Sequence, residues 1–228
     1  MRIIFVRHGH PDYARDCLTP LGVLQAEAAA LRLQGEGICR IFSSTCGRAL
    51  ETAERTAKLL QLPVEKCDFM REIRWGTAEG EALYENGHPW STTDRMVAQG
   101  ESLLDAAWAK QEPFRRNKVV DNIAMIASAL DELLASLGYT REGLYYRVTG
   151  DAPDTIAVFS HGGASAAMLS HLFNLAFPFT CAAMGPDYTA VTIAALPTTP
   201  DSLVSPRFEL LNDAKHIQGL HAENYFGN

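Results

Sequence analysis

Residues 2–10 read RIIFVRHGH. Four apolar residues, Ile3 to Val6, stand directly before Arg7, His8, Gly9 and His10. A short unbroken apolar run is the pattern of a strand buried on both faces, as inside a parallel sheet. The same change recurs where Thr155 to Phe159 gives way to Ser160-His161-Gly162-Gly163. In open α/β sheets, ligands bind beyond the carboxyl ends of the strands. Two strands that both end on a histidine therefore place polar chemistry where such sheets do their work.

The segments between these strand ends alternate in kind. Thr19-Pro20 reads as a helix start, with Thr19 as cap and Pro20 in the first turn. Leu21, Leu24, Ala28 and Leu31 follow at helical spacing, and Gly35 and Gly37 end the pattern. A second strand is expected from Ile38 to Phe42. A helix is expected from about Gly47 to Gln61, with Ala49, Ala53, Thr56 and Leu60 on one side and Pro63 as its stop. Val64 to Phe69 reads as a third strand, and residues 71–100 as irregular. A long helical stretch from about Glu101 to Leu137, broken near Pro113, has Ile123, Ile126, Leu130, Leu133, Leu134 and Leu137 on its inner face. The loop GYTREGLYYRVTGDAPD, residues 138–154, holds a short strand at Leu144 to Val148. A helix from Ala164 to Phe173 and strands at Val191 to Leu196 and Phe208 to Leu211 complete the order. Strands that alternate with helices imply one α/β domain over residues 1–228 with a largely parallel sheet.

Composition narrows the function classes. The 228 residues are 47% hydrophobic and carry a formal net charge of -7. A globular fold is expected, and nucleic-acid binding, which needs a basic footprint, is not. A local cationic pocket is compatible with a negative total. The five cysteines, Cys17, Cys39, Cys46, Cys67 and Cys181, are scattered and form no CxxC pair. A zinc site or disulfide framework is not expected, and a reducing compartment is. The apolar run before Arg7 is too short for a signal core, and no stretch is long enough to cross a membrane. The expectation is a cytoplasmic protein without membrane or nucleic-acid partners; a homo-oligomer is left open.

The candidate site follows from the strand ends. Ser43-Ser44 ends the second strand, and Arg48 lies in the first turn of the next helix. If these strands are neighbours, Arg7, Arg48, His8 and His161 converge beside a helix N-terminus with free N–H groups. Two guanidinium forks and a helix start describe a phosphate site. A histidine placed there can attack phosphorus. Glycine after each histidine would let the backbone turn sharply and the ligand come close. His8 and His10 could instead chelate a metal, but no Cys, Asp or Glu cluster supports them, and no metal site is assigned.

The segments IIFVRHG, SSTCGRALETA, REIRWGTAEG and FSHGG resemble, in order and spacing, the motifs of the histidine phosphatase superfamily, the phosphoglycerate mutase-like fold. The resemblance runs from residue 1 to about 175. It implies a three-layer α/β/α sandwich with a mostly parallel central sheet, and a role for each matching residue. His8 matches the nucleophile that becomes a phosphohistidine. Arg7 and Arg48 match the phosphate-binding arginines. His161 matches a second histidine, expected to be charged. Glu72 matches the proton donor, and Glu79 is the second choice for it. His10 and Gly162 are expected to line the phosphate site with them.

Departures are visible too. After RHG the common pattern has Thr or Ser and then Asn, where this chain has Pro11 and Ala14. One phosphate contact is then missing or supplied by His10. The Gly that follows His161 disfavours the acid phosphatase branch, which carries Asp there.

The resemblance implies metal-independent hydrolysis of a small phosphomonoester, with no cofactor. Mutase-type phosphoryl transfer and a non-catalytic phospho-ligand module stay open. Specificity is expected from residues 81–118 and 139–154. Cys46 reads as a small buried residue or a redox-sensitive thiol. His88, His171, His216 and His221 read as structural or exposed. Trp75, Trp90, Tyr145 and Tyr146 read equally as pocket lining or core.

Overall fold

The computed structural model describes residues 1–77 and 80–220. Glu79 and His221 therefore lie outside the described residues. The chain runs β1 (Arg2–Arg7), a small ribbon of β2 (Pro11–Asp12) and β3 (Cys17–Leu18), α1 (Pro20–Leu33), β4 (Arg40–Ser44), α2 (Gly47–Leu60) and β5 (Val64–Cys67). After an irregular stretch come α3 (Pro89–Ala98), α4 (Val119–Ser136), the hairpin β6 (Tyr139–Glu142) and β7 (Tyr145–Val148), and β8 (Thr155–Ser160). The chain continues through α5 (Gly162–Phe173), α6 (Phe177–Ala183), β9 (Val191–Ala195), β10 (Leu203–Val204) and β11 (Arg207–Asp213).

The main sheet has the order β11-β9-β1-β8-β4-β5. β1, β8, β4 and β5 are mutually parallel, β9 runs antiparallel to β1, and β11, antiparallel to β9, closes that edge in the direction of β1. The fold is α/β with a mostly parallel central sheet, as expected. Alternation along β1 builds its layers. Ile3 and Phe5 enter one core with α4 and α5, whereas Ile4 and Val6 enter the other with α1 and α2. Both faces are covered, so the strand must be apolar throughout.

β1 and β8 pair in register, with Arg7 opposite Ser160, and β4 pairs β8 from the other side, with Ser43 opposite Phe159. The polar residues that follow all three strands thus emerge side by side at one edge. Tight helix approach holds that edge. A Cβ on Gly22 of α1 would sit 2.1 Å from the His10 carbonyl oxygen, and one on Gly9 would sit 2.6 Å from the Gly22 carbonyl oxygen. Gly9 thus serves backbone-to-backbone packing against α1 rather than the sharp turn expected of it.

Several expected elements are redrawn. Residues 101–118 are turns with one short 3₁₀ segment, and the helix begins only at Val119. Asn117 explains the late start: its Oδ1 accepts from Gly76 and Val119 N–H, and its Nδ2 donates to the Gly87 carbonyl. Trp108 and Phe114 also turn inward against Phe177. Conversely, α3 lies in the stretch read as irregular, with Pro89 in its first turn and His88 as its cap. On α1 the buried side is Leu21, Gln25, Ala26, Ala29, Ala30 and Leu33, while Leu24 and Leu31 are exposed. The small residues let the helix lie close, which a search for leucines misses.

The hairpin in residues 139–154 lies at the opposite, amino-terminal edge of the sheet. The Tyr139 hydroxyl donates to the Pro197 carbonyl and lies 3.3 Å from the Met1 amino group. That segment does not border the carboxyl edge, so the expectation that it shapes specificity fails on position. Tyr145 and Tyr146 go with it. No helix among the described residues is long and apolar enough to cross a membrane.

Candidate active site

His8 follows β1 and is 1% exposed. Its Nδ1 lies 2.7 Å from the Gly9 carbonyl oxygen, so Nδ1 carries the proton and donates there. Nε2 is then left with a lone pair, and it accepts from Arg48 Nε at 3.2 Å. Burial, reinforced by the charges of Arg7 and Arg48, pushes the pKa of His8 down from 6.5 to about 3. The imidazole is neutral at physiological pH, the state a nucleophile needs.

His161 follows β8 at the next position in the sheet and is fully buried, its ring centroid 5.1 Å from that of His8. Its Nε2 lies 2.8 Å from Ser44 Oγ at the end of β4, while Nδ1 is buried without a partner among the described residues. Burial, then the nearby His8, Arg48 and Arg7, lower its pKa to about 2. The expectation of a charged His161 is corrected for the ligand-free state: a cation has no counter-charge there.

Arg7 is oriented from outside the sheet. Its NH1 donates to the Pro186 carbonyl at 2.8 Å, and its guanidinium lies 4.3 Å over the Tyr188 ring. Its Nε is buried without a partner among the described residues. Arg48 reaches the site from the first turn of α2, and its NH1 donates to Asp16. Asp16 also accepts the Gly47 N–H at 2.8 Å. The start of α2, expected to be free for an anion, is thus already capped by a carboxylate. The start of α5 remains. Its N-cap residue, His161, makes no side-chain cap, and the Ala164 N–H donates to the Glu72 carboxylate, which leaves the Gly162 and Gly163 N–H groups for a ligand.

Glu72 lies in the loop after β5. Its Oε1 accepts the N–H groups of Ile73 at 3.0 Å and Ala164 at 3.1 Å, so Oε2 is the oxygen open to the cleft. Burial raises its pKa, against the opposing pull of the two N–H groups and of Arg7 and Arg48. A Cβ on Gly163 would sit 2.4 Å from Ile73 Cδ1 and 2.8 Å from Glu72 Oε1. Glycine there lets α5 and the Glu72 loop meet.

The cleft has two lobes that share Tyr13 and Glu72. One, of about 510 Å³, runs past Arg48, Asp16, Arg71 and Arg74. The other, of about 450 Å³, runs past Arg7 and Gly162 to Trp75, His88 and Trp90. Arg7, His8, Arg48, Glu72, His161 and Gly162 are brought together, as the sequence suggested. His10 is not: its Nδ1 lies 3.0 Å from Thr19 Oγ1, and the Tyr188 ring stands between it and His8. Pro11 opens the β2–β3 ribbon, and the His10 N–H before it donates to Gln25 Oε1 of α1 at 2.8 Å.

Sequence reading missed Asp16, Ser44, Tyr188 and His88. Asp16 and Tyr188 carry no local signal, because their partners lie far along the chain. Ser44 had one: it ends a strand adjacent to the strand that ends in His161.

Known proteins resemble this chain in sequence and in fold. The model of the histidine phosphatase superfamily (branch 1) matches residues 3–121. A protein of Proteus mirabilis named "Probable phosphoglycerate mutase GpmB" is 30% identical over 125 residues. The match spans 47% of this chain and 58% of that relative. Among solved structures, mycobacterial glucosyl-3-phosphoglycerate phosphatase is 26% identical, with a TM-score of 0.63 over 92% of this chain and 98% of that one. Phosphoserine phosphatase of Entamoeba histolytica is 22% identical, covers 95% of this chain and 98% of its own, with a TM-score of 0.62, and shares the fold.

Proposed function

Because the chain belongs to the histidine phosphatase superfamily, we propose that it hydrolyses a small phosphomonoester through a phosphohistidine at His8. The observation that carries this reading is a set of buried, unpartnered nitrogens close to a histidine whose lone pair an arginine already faces. Arg7 Nε and His161 Nδ1 lack partners among the described residues, and Arg48 Nε points at His8 Nε2. Such donors are expensive to bury unless they meet an anion.

In the proposed reaction a phosphoryl group sits among Arg7, Arg48, His161 and the start of α5. His8 Nε2 attacks phosphorus as the bond to the ester oxygen breaks, and Glu72 gives that oxygen its proton. Water then attacks phosphorus, the P–N bond breaks, and the Glu72 carboxylate takes the water's proton. The chain's own cations face the charge on the equatorial oxygens, the main source of catalysis in phosphoryl transfer. The reaction is proposed to be metal-independent, so EDTA should leave the rate unchanged.

The test is His8→Ala against the wild type, with brief exposure to labelled substrate. An acid-labile, base-stable label on the wild type and near-complete loss of turnover in a folded variant are expected. Substantial turnover by the variant would overturn the assignment.

A second reading, phosphoryl transfer to another hydroxyl, is favoured by the relatives named as mutases. It is the weaker one because the match spans 58% of the Proteus relative, whereas the phosphatase structure is covered almost whole. Offered 3-phosphoglycerate, a mutase would give an isomer, and the proposed phosphatase gives free phosphate.

A further inference from the structure

The two lobes that meet at Glu72 differ in chemistry: one is lined by the charged side chains of Asp16, Arg48, Asp68, Arg71 and Arg74, the other mainly by rings. The lobe on the Arg48 side is crowded by a carboxylate. Asp16 pairs with Arg48 and caps α2, and its own pKa is lowered by those contacts, so it stays ionised. Arg71, farther along that lobe, is already engaged by Thr45 and Asp68. The other lobe opens beside Arg7 and Gly162. A Cβ on Gly162 would meet both the Arg7 guanidinium, at 3.8 Å, and the Trp90 ring, at 3.7 Å. A group attached to a phosphate held by Arg7 therefore leads directly onto Trp90.

Beyond that point the wall is aromatic. The His88 ring lies 5.1 Å from Trp75, edge to face, and 5.4 Å from Trp90. All three residues are half-buried, so their rings are neither core nor free surface. His88 is held by a hydrogen bond between its Nδ1 and Ser91 Oγ at 3.0 Å, which sets the ring plane. The lobe's other charged side chains besides Arg7 are Glu72 and Asp187, both acidic. A second anionic group on the substrate would face the Asp187 carboxylate here, whereas a flat apolar group would gain stacking area.

We infer that Trp75, His88 and Trp90 form the specificity wall of the site, and that the preferred substrate is a monophosphate ester whose alcohol carries a planar, largely apolar ring. This rests on the phosphomonoester reading above for its catalytic arm.

The experiment compares esters whose leaving groups are all ordinary alcohols, so that leaving-group acidity does not decide the result. Benzyl and 2-naphthylmethyl phosphate are set against ethyl phosphate, glycerol 3-phosphate and 3-phosphoglycerate. The arylmethyl esters should lead in kcat/KM by about ten- to a hundredfold, a difference carried mainly by KM. In Trp90→Ala the ratio should fall toward one, and Trp90→Phe should retain part of it. Preference for the doubly anionic ester, or an unchanged ratio in Trp90→Ala, overturns the proposal.

A binding arm keeps the two readings apart and leaves the wall intact. In His8→Ala, 2-naphthylmethylphosphonate should bind at least about tenfold tighter than ethylphosphonate, with quenching of tryptophan fluorescence. Equal binding overturns the aromatic wall whether or not any ester is hydrolysed. Tighter aryl binding without turnover of any ester would instead remove the catalytic reading and leave the wall standing.

Discussion

At the residue scale the site is governed by two histidines kept neutral in a cationic, buried setting. Their pKa values, about 3 for His8 and about 2 for His161, lie below the ordinary 6.5. The unfolded chain therefore binds protons that the folded one refuses once the pH drops under 6.5. The stability linked to each is fully present above that value. It falls by about 1.4 kcal/mol per pH unit as the pH drops toward the folded value. Urea midpoints at about pH 7, 6 and 5 should show this slope, and His8→Gln should remove one proton's share of it. An anion reverses the preference. Sulfate stays dianionic through this range, and beside His161 it favours the imidazolium. Binding then takes up a proton, so sulfate affinity should rise as pH falls, by up to about tenfold per pH unit for one proton. Calorimetry in buffers of different ionisation heat would count that proton. Zero uptake would mean that His161 stays neutral with the anion bound.

At the element scale, strand ends and helix starts do the positioning. Because β1, β8 and β4 are parallel neighbours, a change of a few residues at each end brings Arg7, His8, Ser44 and His161 together. Close contact of α5 with the Glu72 loop positions the proposed acid. Gly163→Ala places a methyl group 2.4 Å from Ile73 Cδ1 and 2.8 Å from Glu72 Oε1, so both side chains must shift. Esters of ordinary alcohols should then slow by about 10²-fold or more, the usual worth of a positioned general acid. p-Nitrophenyl phosphate should slow much less, because its leaving group needs no proton. Glu72→Gln should show the same split without altering the fold, and equal slowing of both substrates would remove Glu72 as the acid. Gly22→Ala tests packing alone. Its methyl would meet a backbone oxygen at 2.1 Å, and overpacking of this kind typically costs about 1–3 kcal/mol.

At the scale of the whole molecule, the sheet edge couples anion binding to stability. Elements far apart in sequence, β1, α2, β8 and the loop around Tyr188, all border the proposed anion site, so an occupant would tie them together. An anion at a hundred times its Kd should add about 2.7 kcal/mol, or roughly 5–10 °C in Tm for a chain of this size. A sulfate or vanadate titration followed by thermal melting measures it. Arg48→Lys should lose most of the shift although charge is kept, because a lysine cannot reach His8 and Asp16 with one planar fork.

What the sequence determined by itself was set by local pattern. Apolar runs such as IIFV and TIAVF, each cut off by a polar residue, are enough to place buried strands and their functional ends. Two arginines, two histidines and Glu72 were legible because each sits at such an end or in the loop after one. Tertiary structure alone decided the rest, because it depends on partners distant in the chain. His10 was turned toward Thr19 and away from the site by the packing of α1. Asp16 closed the helix start that the sequence left open. The helix that the pattern began near Glu101 was cut back to Val119 by the hydrogen bonds of Asn117 to Gly76 and Gly87. Trp75, His88 and Trp90 became one wall only where the loop after β5 meets the start of α3, an encounter that no local period announces.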